Sequence, residues 1–139
     1  MSTAEREVRL DVGELLVRYA TGIDRRDWKL LRSCFTDDCF ADYGDIGQWN
    51  GGDEITAWMR ASHEPLGVTL HRITNAEVRW EGDLVMARCY VDALVTGPGG
   101  VGGAQACGFY DDVVVSTDDG WKIARRSYTM VRVQRIEAG

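Results

Sequence analysis

The chain has 139 residues, of which 45% are hydrophobic and 27% are charged, an ordinary composition for a soluble globular protein with a sizeable core. Its formal net charge of −6 argues against nucleic acid and against an anionic membrane surface as partners, because both attract basic proteins. We therefore expect a single domain over residues 1–139 that binds neither.

Apolar residues recur at helical spacing at the start of the chain. This pattern predicts an amphipathic helix over about residues 4–23, which the charged run 24–27 ends. Asp27 is a favourable N-cap and predicts a short second helix directly after it. The polar, acidic N-terminus predicts no signal peptide, and no apolar run has the length of a transmembrane helix.

The next stretch combines a turn, a strand, a loop and a helix. Asp37 and Asp38 predict a turn, and residues 40–43 are typical of a short strand. Residues 44–52 are rich in glycine and predict a loop, after which Asp53 opens a third helix.

Beyond Pro65 the pattern changes to long runs typical of β-strands. Four such runs cover about residues 68–80, 83–97, 104–117 and 121–134. Helices first and a meander of antiparallel strands afterwards predict an α+β fold, with the helices on one face of a curled sheet. Such a sheet encloses a conical cavity, which is a usual place for a small-molecule site.

One of the two histidines lies in the first of these strands. Strict alternation places Thr69, His71, Ile73 and Asn75 on one face, so the imidazole shares its face with an aliphatic side chain. An imidazole in partly apolar surroundings can exchange a proton near neutral pH if it has an acidic partner. His71 is therefore a candidate general base, and a core histidine with a structural hydrogen bond is the alternative.

Several runs of the sequence together resemble the SnoaL-like branch of the nuclear transport factor 2-like superfamily, whose fold is also called cystatin-like. These runs are residues 18–28, 34–38, 69–75, 108–111 and 119–124. The resemblance covers about residues 8–134. It implies a cone-shaped α+β fold in which three N-terminal helices pack on a curved, mostly antiparallel sheet.

Within that superfamily the chain resembles scytalone dehydratase, hexachlorocyclohexane dehydrochlorinase and the bile-acid dehydratases, which use an Asp–His pair. The resemblance places the acid on Asp24 and the base on His71, and it matches Tyr19 and Tyr43 to pocket tyrosines. In such a pair the carboxylate fixes the imidazole tautomer and supports its positive charge. Tyr19 suits enolate stabilisation and equally suits the apolar stripe of its helix. Asp24 and Tyr19 both face the cavity only if Asp24 lies in the turn beyond the helix.

Aromatic side chains along the chain predict a wall suited to a flat, hydrophobic substrate. Trp49, Trp58 and Tyr128 are the candidates, and each is equally consistent with a core position. Ile73 and Asn75 would join this pocket through the strand face that they share with the histidine.

The remaining motifs favour structural explanations. Four scattered cysteines without a Cys-x-x-Cys motif predict reduced thiols, no metal site and a cytoplasmic protein. His63, close to Pro65, is expected to be solvated at a helix end. The glycine loop at 97–103 predicts a mobile connection, with a lid over the cavity as the alternative. A solvated face or a subunit contact is expected from the arginines near the C-terminus, which are Arg125, Arg126, Arg132 and Arg135.

The sequence also departs from its relatives. Some of them carry an arginine just before the last hairpin, where this chain has Ser116 and Thr117. The second histidine of scytalone dehydratase has no evident counterpart, and Asp92 is the candidate replacement. We find no Asp–Arg–Asp arrangement of the kind that relatives use for epoxide hydrolysis, so that reaction is less favoured.

The sequence and the resemblance therefore predict an enzyme that needs no cofactor and acts on a small hydrophobic metabolite, cyclic or carbonyl-bearing. We expect an elimination such as dehydration. Isomerisation or cyclisation of the polyketide or steroid type, through the same enolate, is the nearest alternative. A non-catalytic ligand-binding or assembly module is another. The relatives also imply a homo-oligomer, a dimer or trimer, formed through the outer face of the sheet.

Overall fold

The computed structural model describes residues 1–139 and shows the helices ahead of the long strands, as predicted. The helices are α1 (Thr3–Asp24), α2 (Trp28–Ser33) and α3 (Gly52–His63). The strands are β1 (Phe35–Asp42), β2 (Gln48–Asn50), β3 (Thr69–Glu81), β4 (Leu84–Thr96), β5 (Gly103–Thr117) and β6 (Gly120–Ile136). Short 3-10 turns cover Gly44–Ile46 and Pro98–Gly100.

Helix α1 begins at a capping box and buries one apolar stripe. The Ser2 hydroxyl accepts a hydrogen bond from the Glu5 backbone N–H, and the Glu5 carboxylate accepts one from the Ser2 N–H. The buried side chains recur at the predicted helical spacing: Val12, Leu15, Leu16, Tyr19 and Ile23. None of the helices is both long enough and apolar enough to span a bilayer.

The connection from α2 to β1 confirms one prediction and overturns another. Asp27 caps α2 as predicted, since its carboxylate accepts a hydrogen bond from the Leu30 N–H at 3.0 Å. The turn predicted at Asp37 and Asp38 is wrong, because both residues lie within β1. Both carboxylates stay exposed there, in the stretch between Phe35 and Phe40 where the register of β1 against β6 shifts.

The six strands form one curved sheet in the order β2-β1-β6-β5-β4-β3. Every neighbouring pair is antiparallel except β1 and β6, which run parallel. Helix α1 packs against β3 and β6, while α3 packs against β1 and β2. The expected α+β architecture, with three helices on a curved and mostly antiparallel sheet, is confirmed.

Strand β3 lies at the edge of the sheet and contains a bulge. Its register against β4 shifts between Thr74 and Glu77, and Asn75 adopts a left-handed φ of 52°. The bulge interrupts the predicted alternation after Ile73, so Asn75 is exposed. The prediction that Asn75 faces the pocket together with His71 is therefore wrong.

Candidate active site

The helices and the concave face of the sheet enclose a cavity of about 150 Å³. Twelve of its fourteen lining residues are hydrophobic or aromatic, and a cavity of this volume holds about one six-membered ring. Its titratable groups are four phenols and two imidazoles: Tyr19, Tyr43, Tyr110, Tyr128, His63 and His71.

A larger, open groove of about 550 Å³ runs along the outer side of α1. Charged side chains such as Arg9, Glu14 and Arg18 line it, and neither histidine does. No hydrogen-bonded acid–base pair lies in this groove. We therefore place the candidate active site in the smaller cavity.

Asp24 and His71 form a hydrogen-bonded pair at one end of the cavity. The His71 Nδ1 and Asp24 Oδ1 atoms are 2.7 Å apart. The other carboxylate oxygen accepts the backbone N–H of His71 at 2.8 Å, and the Thr69 hydroxyl donates to Oδ1 at 3.0 Å. The imidazole is 9% exposed and the carboxylate 21%, so the pair is largely shielded from water.

These hydrogen bonds determine the charge of Asp24. Partial burial on its own would raise the pKa of the Asp24 carboxyl. The hydrogen bonds from the His71 side chain and backbone, with that from Thr69, outweigh burial and hold the pKa below its usual value. Asp24 is therefore ionised near neutral pH.

An ionised carboxylate only accepts hydrogen bonds, so the proton between the two residues belongs to His71 Nδ1. The tautomer with its proton on Nδ1 carries its lone pair on Nε2. That atom has no hydrogen-bond partner within the protein and is not among the polar atoms sealed from solvent. His71, which lines the cavity, therefore presents a free basic nitrogen to a ligand.

The α1–α2 connection positions the carboxylate. Asp24 is the last residue of α1, not part of the turn beyond it, and it reaches His71 from behind without lining the cavity. Arg26, with a φ of 56°, directs its guanidinium to the Ile23 and Gly67 carbonyls and to the Thr69 hydroxyl at 2.7–2.9 Å. These contacts fasten the end of α1 to the start of β3.

The opposite end of the cavity is a cluster of buried phenols. The Tyr19 and Tyr43 hydroxyls are 2.8 Å apart, and the Tyr110 hydroxyl lies 3.5 Å from that of Tyr19. Burial raises the pKa of all three phenols well above the usual value, so they stay protonated. This end therefore offers hydroxyl donors, whereas the histidine end offers an acceptor.

A buried ion pair lies beneath the phenols. Arg126 donates two hydrogen bonds to the Asp112 carboxylate, both at 2.8 Å, and the two side chains are 0% and 1% exposed. The guanidinium carbon lies 4.1 Å from the Tyr19 ring centre and 3.8 Å from that of Tyr110. Burial opposes the charge, but Asp112 and the neighbouring tyrosines outweigh burial and hold the pKa of Arg126 well above its usual value.

The burial of Arg126 contradicts the solvated face expected for the C-terminal arginines. Strand β6 has one extra residue between Ile123 and Arg125, because these two pair with consecutive residues of β5. The extra residue shifts the alternation by one, so Arg126 faces the core while Arg125 is exposed. The sequence gives no sign of this bulge, and the buried pair with Asp112 was missed for that reason.

His63 was expected in solvent but is only 9% exposed and lines the cavity. It continues the inner stripe of α3 after Ile55 and Met59, a spacing of four residues that could have indicated its burial. Its Nδ1 atom lies 2.9 Å from the Met59 carbonyl oxygen. Burial lowers the pKa of His63 to about 4, and its ring centre lies 5.7 Å from that of His71.

The other predicted pocket residues divide into wall and support. Trp58 and Tyr128 line the cavity. Trp49 lies behind them, with its ring centre 4.5 Å from that of Trp58, and Ile73 packs against the core. Asp92 bonds to Arg72 and Gln105 instead of facing the cavity, so it does not replace a second histidine. No group of three or more histidine, cysteine or carboxylate side chains is arranged to hold a metal ion.

Comparisons with known proteins agree with this architecture. The family described as SnoaL-like domain matches residues 4–127. The uncharacterized protein Rv2910c of Mycobacterium tuberculosis is 34% identical over 131 residues, which make up 93% of this chain and 89% of that protein.

Solved structures share the fold over nearly the whole chain. A Novosphingobium aromaticivorans protein named as a candidate aromatic ring hydroxylase is 27% identical, with a TM-score of 0.84 and 93% of each chain covered. A candidate scytalone dehydratase of the same species is 19% identical, with a TM-score of 0.86 over 99% of this chain and 94% of that one. A hexachlorocyclohexane dehydrochlorinase of Novosphingobium barchaimii is 20% identical, with a TM-score of 0.84 over 97% and 94%.

Proposed function

The chain belongs to the SnoaL-like domain family, and from that membership we propose that it is a cofactor-independent lyase for a small, carbonyl-bearing cyclic metabolite. One observation supports this most directly. His71 lines an apolar cavity and its Nε2 has no partner within the protein, while its Nδ1–H is held by the ionised Asp24. The dehydratase and dehydrochlorinase names among the structural neighbours agree with elimination chemistry in this fold.

In the proposed reaction, His71 Nε2 removes a proton from the carbon next to the substrate carbonyl. Asp24 then stabilises the imidazolium that forms, as the carboxylate does in other Asp–His pairs. General-base catalysis of this kind accelerates a reaction by about 10²- to 10⁴-fold. Placing the reacting carbon near His71 directs the carbonyl toward the phenols at the other end.

Tyr19 and Tyr43 would donate to the enolate oxygen. Only one proton is used between their two hydroxyls, so the second phenol keeps a proton for the substrate. The buried cation of Arg126 lies against the Tyr19 ring and favours negative charge developing nearby. The phenol cluster therefore stabilises the charge that His71 creates.

The enolate can collapse in two ways. In an elimination, the electron pair of the enolate forms a carbon–carbon double bond and expels the hydroxyl group from the β-carbon. The departing hydroxyl takes the proton from the His71 imidazolium and leaves as water. In an isomerisation of a β,γ-unsaturated ketone, the enolate is conjugated with the double bond, and the imidazolium returns that proton to the γ-carbon. The same residues serve both reactions, so isomerisation or polyketide- or steroid-type cyclisation is the alternative function.

The test uses 3-hydroxycyclohexanone, a one-ring β-hydroxyketone, with formation of cyclohexenone followed by ultraviolet absorbance. We expect His71→Ala to lower the rate by about 10²- to 10⁴-fold and Asp24→Asn to lower it by a similar or smaller factor, with little change in the thermal midpoint. Asp38→Asn is the control, because Asp38 is exposed.

Normal turnover in both variants would show that the pair is not catalytic, and unfolding of both would make it structural. If the wild-type protein eliminates water from no one-ring β-hydroxyketone, the lyase proposal fails. Exchange of the α-protons of cyclohexanone in D₂O then separates an isomerase from a non-catalytic binding module.

The proposal includes a cytoplasmic location and self-association. All four cysteines are unpaired thiols, which are typical of a reducing compartment. Large apolar side chains are exposed on the sheet strands, including Leu70, Tyr90 and Val131, and would be covered in a dimer or trimer. Light scattering of the purified protein measures the oligomeric state directly.

A further inference from the structure

We propose that His63 is a substrate-binding residue that accepts a hydrogen bond from a hydroxyl group on the ligand, so the natural substrate is a hydroxylated ring compound. This inference rests on the proposed function only in placing the ligand in the same cavity as His71. It assigns a role to the second histidine of the chain, which the proton transfer described above does not use.

The contacts of His63 define its tautomer. The Met59 carbonyl oxygen can only accept a hydrogen bond, and it lies 2.9 Å from His63 Nδ1. A lone pair on Nδ1 would repel that oxygen, so Nδ1 carries the proton. The Ser62 hydroxyl, 2.9 Å from the same nitrogen, can donate to the Met59 carbonyl at 3.2 Å and so does not require the other tautomer.

The remaining ring nitrogen is then an acceptor without a partner. His63 Nε2 makes no hydrogen bond within the protein, and it is not among the polar atoms sealed from solvent. His63 lines the cavity beside Trp58, Met59 and His71. An acceptor in a largely apolar cavity loses free energy if a ligand leaves it unpaired, and this selects ligands that bring a donor.

The two imidazoles have different roles, proton transfer for His71 and hydrogen-bond acceptance for His63, because their surroundings differ. His63 has a neutral carbonyl as its partner and is buried, which lowers its pKa to about 4, so it remains neutral near pH 7. A proton taken up by His71, whose ring centre is 5.7 Å away, disfavours a second positive charge on His63. His63 therefore binds a donor group and does not carry protons.

The cavity limits where that hydroxyl lies on the ligand. At about 150 Å³ it holds one ring, and both imidazoles line it with their centres 5.7 Å apart. The donor is consequently on the same ring as the carbon that His71 deprotonates or is attached directly to that ring. The ligand class is a cyclic ketone or phenol-like compound with a free hydroxyl.

Two substitutions at His63 separate its two nitrogens. His63→Asn keeps an amide N–H close to the position of Nδ1, and so keeps the bond to Met59, but its carbonyl oxygen stops short of the position of Nε2 and leaves no acceptor there. His63→Gln places an amide oxygen close to the position of Nε2. Phenol and toluene are the probes, since they share a shape and only phenol donates a hydrogen bond.

We expect His63→Asn to weaken phenol binding by about five- to tenfold while toluene binding stays within twofold, as measured by NMR titration of the full chain. His63→Gln should keep phenol binding within about twofold of the wild-type protein. Equal losses for phenol and toluene in His63→Asn, or a loss of phenol binding in His63→Gln as large as in His63→Asn, would overturn the proposal. So would phenol binding that depends on His71 and not on His63.

A measurement on the wild-type protein needs no folded variant. The ¹⁵N signals of His63 should show a proton on Nδ1, and phenol should shift the Nε2 signal upfield while toluene does not. A proton on Nε2 in the free protein contradicts the assignment. If these signals contradict the assignment but His71→Ala loses turnover, only the role of His63 is wrong. If phenol binds selectively through His63 but His71→Ala turns over normally, only the proposed reaction is wrong.

Discussion

The two polar ends of the cavity differ in chemistry and in what they do for the fold. At the histidine end, two imidazoles present unpaired acceptors and are held from behind by Asp24 and the Met59 carbonyl. At the phenol end, donors cover an ion pair between Arg126 and Asp112 that is sealed from solvent. The histidine end therefore offers a ligand free acceptors, whereas the phenol end offers hydroxyl donors above a buried cation that a carboxylate compensates, with Arg126 Nη1 the one guanidinium nitrogen left without a partner.

An aspartate-to-asparagine substitution at each end should give the largest difference between the two ends in folding stability. Asp112→Asn keeps the side-chain shape but leaves the buried charge of Arg126 uncompensated, and we expect it to lower the free energy of unfolding by about 3–5 kcal/mol. Asp24→Asn should change the free energy of unfolding only slightly while reducing turnover. Urea unfolding measures both.

Asp111→Asn is the matched control for the first variant. Asp111 is the neighbouring carboxylate, and it forms an ion pair with Arg88 whose side chains are 34% and 44% exposed. We expect a change of about 1 kcal/mol or less there, because exposed pairs contribute little. If Asp111→Asn destabilised the protein as much as Asp112→Asn, burial would not be what distinguishes the phenol end.

The next largest effect is expected from acid, which should lower the free energy of unfolding through the histidine end of the cavity. The pKa of His63 is lowered to about 4 in the folded protein, below the value near 6.5 of an unfolded chain. As the pH falls from 6.5 toward 4, the unfolded chain therefore binds a proton before the native protein does, and stability declines. Between pH 7 and pH 4.5 we expect a loss of about 2 kcal/mol that is absent in His63→Asn.

Asp24 acts in a separate pH window. The pKa of Asp24 is lowered in the folded protein, so its contribution to folding stability is present above the ordinary aspartate pKa and is lost as the pH falls through the pKa of the folded protein.

For the His63 prediction, stability curves of the wild type and of His63→Asn that stay parallel from pH 7 to 4.5 would show that His63 is not protected from protonation.

The smallest effect is expected from a single phenol. Tyr43→Phe removes one donor from the pair with Tyr19, and we expect a rate about tenfold lower on 3-hydroxycyclohexanone with unchanged folding. Tyr128→Phe is the control, because the Tyr128 hydroxyl also lines the cavity but forms no hydrogen bond with the other phenols. Equal losses in both variants would point to cavity shape as the cause instead of donation to the enolate.

Patterns with a regular period predicted the fold well. The apolar stripe of α1 and the alternation in the strands placed α1 and the four long strands close to their observed bounds, whereas β1 begins five residues before the predicted start at 40 and β2 lies within the predicted loop 44–52. The resemblance to known enzymes paired Asp24 with His71, which are 47 residues apart in sequence and 2.7 Å apart in space. The catalytic role of that pair remains a prediction.

Single-residue irregularities account for most of the errors. One extra residue in β6 turned Arg126 inward, and one bulge in β3 turned Asn75 outward. Neither bulge changes the composition of its strand, so periodicity could not reveal it. His63 differs, since the spacing of the inner stripe of α3 contained the signal and the nearby Pro65 obscured it.

Asp24 has a second effect because β3 lies at the edge of the sheet. This strand pairs only with β4, so its outward backbone groups form an open border that a strand from another molecule could join. Asp24 occupies the amide of His71 on that border, and the bulge at Asn75 distorts the next stretch. The carboxylate that holds the His71 imidazole thus also occupies one of the backbone donors through which a strand of another molecule could pair with β3.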